Sequence, residues 1–206
     1  MSIIVRSRRD AGNDWLYGGG GTDVFHGGAG NDALNGGSGV DTMYAGAGDD
    51  GLFGGEGNDT LVGGDGVDYV VGGNGDNALY GDAGNDSLND GDGNGYLVGG
   101  AGDDGMYGGN GADQFFSGSG VDWMIGGNGA DLFAFAPGDG ADTIVDFNVL
   151  EDHINLAAVP GIDTFADVQA RMSFNGTNTV IDFGGGDLIT IVDVRPETLT
   201  ADQFYI

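Results

Sequence analysis

Between Gly18 and Ala134 the chain divides every nine residues into thirteen units, with no insertion or deletion. The first reads GGGGTDVFH (18–26), the second GGAGNDALN (27–35) and the fifth GGEGNDTLV (54–62). The template is G-G-x-G-x-D-x-U-x, with U apolar. The fourth position is Gly and the eighth apolar in all thirteen units; the sixth is Asp in eleven, with Asn77 and Gly95 as the exceptions. A degenerate unit precedes them, carrying Gly12, Asp14 and Leu16 at the matching positions. A fixed short period restricts the fold to a solenoid, in which one small unit stacks on itself along an axis.

Each position has a physical consequence. Glycine permits positive φ and close approach of carbonyl groups, so G-G-x-G-x-D reads as a tight loop. The x-U-x that follows reads as a very short strand with one side chain inward, because neighbours on a strand alternate faces. The inward set is Leu16, Phe25, Leu34, Met43, Leu52, Leu61, Val70, Leu79, Leu88, Leu97, Met106, Phe115, Met124 and Phe133. One apolar side chain per nine residues is too thin a core to offset the entropy of ordering so many glycines.

Charge indicates what else holds the loops. The chain has a formal net charge of −28, and residues 18–134 hold nineteen acidic residues and no Lys or Arg. That excludes phosphate recognition, and hence a nucleic-acid or anionic-membrane surface on the array. An array this acidic repels itself until cations bind. With no Cys in the chain, disulfides and thiolate metal sites are excluded. The loops offer carboxylate and carbonyl oxygens, which suits Ca²⁺, a hard cation taking six to eight oxygen ligands.

This nonapeptide resembles that of the RTX ("repeats in toxin") family. The resemblance implies an all-β, right-handed parallel β-roll in which two units make one eighteen-residue turn and each Ca²⁺ sits between loops one turn apart. The earlier loop of a pair then gives its Asp and the carbonyls of its second and fourth positions. The later loop gives its Asp and the carbonyls of its first and third.

On this chain the eighteen-residue spacing sorts the loops onto two edges. The ligands implied for the first edge are Asp14; Gly27, Gly28, Ala29, Gly30 and Asp32; Ala45, Gly46, Ala47, Gly48 and Asp50; Gly63, Gly64, Asp65, Gly66 and Asp68; Gly81, Asp82, Ala83, Gly84 and Asp86; Gly99, Gly100, Ala101, Gly102 and Asp104; Ser117, Gly118, Ser119, Gly120 and Asp122; and Pro137, Asp139 and Asp142, the last after a two-residue slip. For the second edge they are Gly19, Gly21 and Asp23; Gly36, Gly37, Ser38, Gly39 and Asp41; Gly54, Glu56 and Asp59; Gly109, Gly111 and Asp113; and Gly126, Asn128 and Asp131. The second edge is interrupted at Asn77 and Gly95. Three pairings are therefore expected to be weak or empty, unless Asp76, Asp90 or Asp92 rescues them, and nine to fill. About ten Ca²⁺ ions would balance the acidic residues.

The ninth positions after the interrupted edge form an outward ladder of His26, Tyr44, Val62, Tyr80, Val98, Phe116 and Ala134. Strand propensity alone accounts for such residues. The alternative is a face for a glycan, a protein or a second copy, centred on Tyr44, Val62, Tyr80, Val98 and Phe116. The opposite ladder, Tyr17, Asn35, Phe53, Val71, Asn89, Tyr107 and Ile125, is more mixed.

We divide the chain into a lead-in (1–8), the roll (9–145) and a C-terminal cap (146–206). The lead-in holds Arg6 and Arg8, beside Arg9; it reads as a frayed end or a basic arm. Its apolar run, Ile3–Val5, is short for a signal peptide or a membrane span. In the C-terminal part, DTIVDF (142–147) and DHINL (152–156) resemble the serralysin-type C-terminal β-roll domain. DTFADVQARM (163–172) predicts a short helix capped by Thr164 and Asp167, with Phe165, Val168 and Met172 on one face. TVIDF (179–183) and LITIV (188–192), around Gly184–Gly186, predict a hairpin. Such a segment suits the end cap that a solenoid requires.

Serralysin-like enzymes carry H-E-x-x-H, but here the two histidines, His26 and His153, lie far apart, and neither G-x-S-x-G nor G-K-[ST] occurs. The chain reads as no enzyme. The resemblance implies a secreted, extracellular calcium-binding module that leaves the cell through type I (ABC-transporter) machinery, with an uncleaved C-terminal signal near Asp202–Ile206, and folds on meeting calcium. The alternatives are a carbohydrate- or cell-surface-binding roll, or the export and folding tail of a larger protease, lipase or adhesin.

Overall fold

A computed structural model describes residues 10–206; the lead-in and Arg9 lie outside the described residues. The repeat folds as a parallel β-solenoid of two facing sheets. One sheet holds Asp10–Ala11, Val24–Ala29, Thr42–Ala47, Thr60–Asp65, Ala78–Ala83, Tyr96–Ala101, Gln114–Ser119 and Leu132–Ala134, then His153–Asn155 and Phe204–Tyr205. The other runs Trp15–Gly20, Ala33–Ser38, Gly51–Glu56, Tyr69–Asn74, Ser87–Asp92, Gly105–Asn110, Trp123–Asn128 and Ala141–Ile144, then Asp187–Ile191, Thr179–Gly184 and Met172–Phe174.

Each repeat strand pairs in parallel with the strand eighteen residues on, as in Phe25↔Met43 and Leu52↔Val70. Repeat strands are six residues long, twice the x-U-x expected from sequence. The first three residues of the following unit continue the ladder, as in Gly28↔Gly46 and Ala29↔Ala47. The glycines that shape the loop therefore also extend the sheet.

The eighth-position side chains meet between the sheets. Phe25, Leu34, Met43, Leu52, Leu61, Val70, Leu79, Leu88, Leu97, Met106, Phe115, Met124 and Phe133 are buried, and Leu16 packs against them partly exposed. Phe115 and Phe133 stack at 4.9 Å.

Two glycines per loop are fixed by geometry. At Gly39, φ is +128° and a Cβ would strike the Gly21 carbonyl of the turn before; at Gly37, φ is +102° and the obstacle is the Gly19 carbonyl. Asp82 takes the second position of its unit as a non-glycine at φ +75°.

The C-terminal part continues both sheets. His153–Asn155 pairs in parallel with Leu132–Ala134, and Phe204–Tyr205 pairs with His153–Asn155. On the other side Asp187–Ile191 pairs in parallel with Ala141–Ile144 and antiparallel with Thr179–Gly184, forming the expected hairpin. A third antiparallel strand, Met172–Phe174, was not legible in sequence, and it places Met172 outside the helix. The helix is Phe165–Gln169, with the expected capping box between Thr164 and Asp167 and with Val168 buried. Here the raw ends of the sheets meet an ordinary core that includes Ile144, Ile154, Leu156, Ile181, Ile189 and Ile191. No helix among the described residues is long and apolar enough to cross a membrane.

Candidate metal centres

The sixth-position aspartates form two internal columns, one along each edge. On the first edge the main-chain N–H of Asp14 donates to Asp32 Oδ1, and the same bond recurs from Asp32 to Asp50, Asp50 to Asp68, Asp68 to Asp86, Asp86 to Asp104, Asp104 to Asp122 and Asp122 to Asp142, at 2.6–3.1 Å. On the second edge it links Asp23 to Asp41, Asp41 to Asp59, Asp59 to Asn77 Oδ1, Gly95 to Asp113, Asp113 to Asp131 and Asp131 to Asp152. Below the head of each column, one side-chain oxygen per aspartate or asparagine thus fixes the register of the stack; both oxygens of Asp23 are without a partner.

The other oxygen has no partner. Oδ2 of Asp23, Asp32, Asp41, Asp50, Asp59, Asp68, Asp86, Asp104, Asp113, Asp122 and Asp131 is buried without a hydrogen bond. Buried polar atoms are nearly always paired, so a row of orphaned anionic oxygens implies a positive partner. Each Oδ2 lies beside a first-position glycine. A Cβ at Gly27, Gly36 or Gly108 would collide with the Oδ2 of its own unit, and would stand 2.5–2.8 Å from the carbonyl oxygen of Ala45, Gly54 or Gly126 one turn on. Carboxylate and carbonyl oxygens therefore converge on a space that no side chain fills, a donor set fitting a hard divalent cation. Ala45 and Ser117 occupy the first position on the first edge, both buried.

Burial raises the pKa of Asp41, Asp50, Asp59, Asp68, Asp86, Asp104, Asp113, Asp122 and Asp131. Asp50 and Asp59 are pushed up to about 6, and Asp68, Asp104 and Asp131 to about 7. Desolvation is the main cause; the bond from the preceding main chain opposes it, and neighbouring carboxylates add to it. Adjacent strands stand roughly 4.8 Å apart. Two unit charges at that spacing repel by about 3–4 kcal/mol at an effective dielectric of about 20.

No three carboxylate or imidazole side chains gather at one point among the described residues. The further oxygens that line this space are main-chain carbonyls, such as those of Ala45, Gly54 and Gly126.

Both columns end where protein donors replace this arrangement. Asp142 Oδ1 accepts from the Asp122 N–H and its Oδ2 from the Ser117 hydroxyl. Asp152 Oδ1 accepts from the Asp131 N–H and its Oδ2 from the Asn148 N–H. Asp146 accepts from the N–H groups of Gly126 and Gly127. Asp142 was readable from the sequence. Asp146 and Asp152 were not, because the nine-residue register is lost after Ala134.

A second ladder runs along the outside of the loops, at a position that the template leaves open. Asn31 N–H donates to Asn13 Oδ1, Asp49 N–H to Asn31 Oδ1, Asp76 N–H to Asn58 Oδ1, and Asn94 N–H to Asp76 Oδ1. Its direction is opposite to that of the sixth-position ladder. The Asn and Asp residues preceding many sixth positions were its signal.

On the outward face of the first sheet, His26 stacks on Tyr44 at 5.1 Å, and Tyr44 is 43 % exposed. Tyr80, Tyr96 and Phe116 form a strip, with ring centres 6.0 Å and 5.0 Å apart. Tyr96, a seventh-position residue, was missing from the expected ladder. Val62, Tyr80, Val98 and Phe116 are half-buried. Val98 and Phe116 also line a groove of about 500 Å³ with Ala134, Asn155 and Ala158.

The model of the RTX calcium-binding nonapeptide repeat, four copies long, matches this chain in overlapping stretches from 10–34 to 107–144. Among solved structures, the R3 subunit of the Azotobacter vinelandii mannuronan C5-epimerase AlgE6 is similar with a TM-score of 0.50 and 28 % identity, over 61 % of this chain and 80 % of that one. The extracellular lipase LipA of Serratia marcescens gives a TM-score of 0.47 and 18 % identity, over 95 % of this chain and 38 % of the lipase. No curated protein matches the chain significantly.

Proposed function

This chain belongs to the RTX calcium-binding nonapeptide-repeat family, and on that premise we propose that it is a secreted, non-catalytic module that calcium folds outside the cell. The observation carrying the proposal is the row of buried Oδ2 atoms without partners along both edges. Folding without cations would bury that charge uncompensated, so ion binding and folding become one equilibrium. Where calcium is scarce the chain stays expanded and can be threaded through a type I exporter. At millimolar calcium the array stacks on the cap, whose core needs no ion. We assign the ligands as the sixth-position aspartates together with the first- to fourth-position carbonyls set out above, for about ten ions in all, with Asp142, whose two oxygens already accept from protein donors, left out of the set.

Gel filtration in excess chelator and in millimolar calcium tests this reading. Calcium should shrink the apparent size markedly, and magnesium should not. Equal sizes in chelator and calcium would count against it. For the export route, release into the medium should require a co-expressed type I exporter and the last residues of the chain.

A second reading adds polysaccharide recognition. It is favoured by the strip Tyr80–Tyr96–Phe116 and by likeness to a subunit of an enzyme named for mannuronan. Aromatic faces stack on sugar rings, whereas the array's acidity opposes an anionic glycan unless calcium bridges the two. A glycan array with the calcium-loaded protein tests this, and Tyr44→Ala with Tyr80→Ala should abolish any signal. A third reading, in which the module serves as the folding tail of a larger secreted enzyme or adhesin, predicts a native product heavier than this chain.

A further inference from the structure

The interruption at Asn77 and Gly95 is filled from within. In the unit DGDGNGYLV (90–98) the sixth-position carboxylate is missing, while the first position is Asp90. Every other first position on that edge between residues 18 and 126 is Gly. Asp90 is fully buried, and its Oδ2 has no partner. A Cβ placed on Gly95 would stand 2.7 Å from that Oδ2. The Asp90 carboxylate therefore occupies the space that a sixth-position aspartate would fill, reached from the other side of the loop. Only a glycine at 95 leaves room for it.

Asn77 matches this arrangement. Its Oδ1 accepts from the Asp59 N–H at 2.9 Å, as an aspartate would. Its Nδ2 donates to Asp90 Oδ1 at 2.8 Å and to the Gly75 carbonyl at 3.1 Å. A Cβ on Gly72 would meet this Nδ2 at 2.5 Å, where other units of the column place Oδ2. The amide thus offers donors at a point where other turns offer only acceptors.

We infer that Asp90 is a metal ligand relocated within its loop, serving the turn between units 90–98 and 108–116, and that the Asn77 amide takes the place of one cation in the turn before. The inference rests on the calcium reading above and deepens it. The second edge then consists of two blocks of ions joined by an ion-free clasp.

Native mass spectrometry at fixed calcium counts the ions. Asp90→Asn keeps the shape and the bond from Asn77 but removes the charge, and should hold one ion fewer than wild type. The exchange Asp90→Gly with Gly95→Asp restores the template and should regain that ion. Gly95→Asp alone, which crowds two carboxylates into one space, should raise the calcium needed for half-folding by tenfold or more. An unchanged count in folded Asp90→Asn overturns the inference. Should Asp90→Asn fail to fold, the exchange variant decides: the wild-type count supports the inference, and any other count overturns it, one ion more showing that the site had been empty in the wild type. A wild type that takes up no calcium would instead defeat the calcium reading itself.

Discussion

The main-chain N–H of Asp104 donates to Asp122 Oδ1 at 2.7 Å, while Asp122 Oδ2 is buried with no partner. One carboxylate is thereby divided between two tasks. Its first oxygen sets the register of the stack, and its second is the one assigned to a cation in the proposed function. Because the same division recurs along both edges, loss of one aspartate should remove a register bond and a proposed ion ligand together.

Asp68 tests that division. Asp68→Asn keeps an acceptor for the Asp50 N–H but turns the orphaned oxygen into a donor. It should lower the ion count by at least one and raise the calcium concentration for half-folding several-fold. Asp65→Asn, an exposed third-position change in the same loop that keeps the main-chain carbonyl assigned to the ion, should leave both values near wild type. Calcium titration of the three proteins checks the contrast.

Glycine substitutions should separate by position. Gly39→Ala places a Cβ on the Gly21 carbonyl at a φ of +128°, and should cost roughly 1–3 kcal/mol or more. Gly105 lies in a strand, and a Cβ there would come no closer than 3.9 Å to the Asp86 carbonyl. Gly105→Ala should therefore be neutral or stabilising by about 0.4–1 kcal/mol. Thermal unfolding in saturating calcium measures both.

Asp152 closes the second column with protein donors alone. Asp152→Ala leaves the N–H groups of Asp131 and Asn148 without their carboxylate. The cost should be roughly 1–3 kcal/mol, with no change in ion number, since both its oxygens are already used. A lower ion count would make Asp152 a ligand and contradict its role as a terminus.

The period alone made the solenoid, its inward column and the two aspartate columns legible, since each follows from a residue type at a fixed spacing. Asp142 could be placed because Pro137–Val145 still follows the template after its slip. Asp146 and Asp152 could not, because their partners are main-chain N–H groups that only the folded cap brings near. Asp90 was visible as a nearby carboxylate, but its place depends on the side chain that Gly95 lacks. The six-residue strands outrun the x-U-x that the period marks, because the loop glycines pair through their main chains, which carry no side-chain signal.

Acid should act oppositely on the calcium-free and calcium-loaded forms. Asp68, Asp104 and Asp131 are raised from 3.8 to about 7 by burial. Carboxylates raised on folding bind more protons folded than unfolded, so their contribution to stability is fully present below about pH 4 and is lost progressively as the pH rises to about 7. In excess chelator, β-structure should therefore grow on acidification from pH 8 toward pH 5. In calcium, protons compete for the same oxygens, and affinity should fall over that range. Circular dichroism across pH in both conditions checks the two signs.

The most direct measurement is the far-ultraviolet circular dichroism of the whole chain at pH 7.5, first in excess chelator and then in millimolar calcium. The account predicts a coil spectrum in chelator and a reversible change to β-structure in calcium, with a midpoint that Asp68→Asn shifts upward. A β-spectrum that persists in excess chelator would contradict it, because the buried aspartate columns would then be folding without the cations that their orphaned oxygens require.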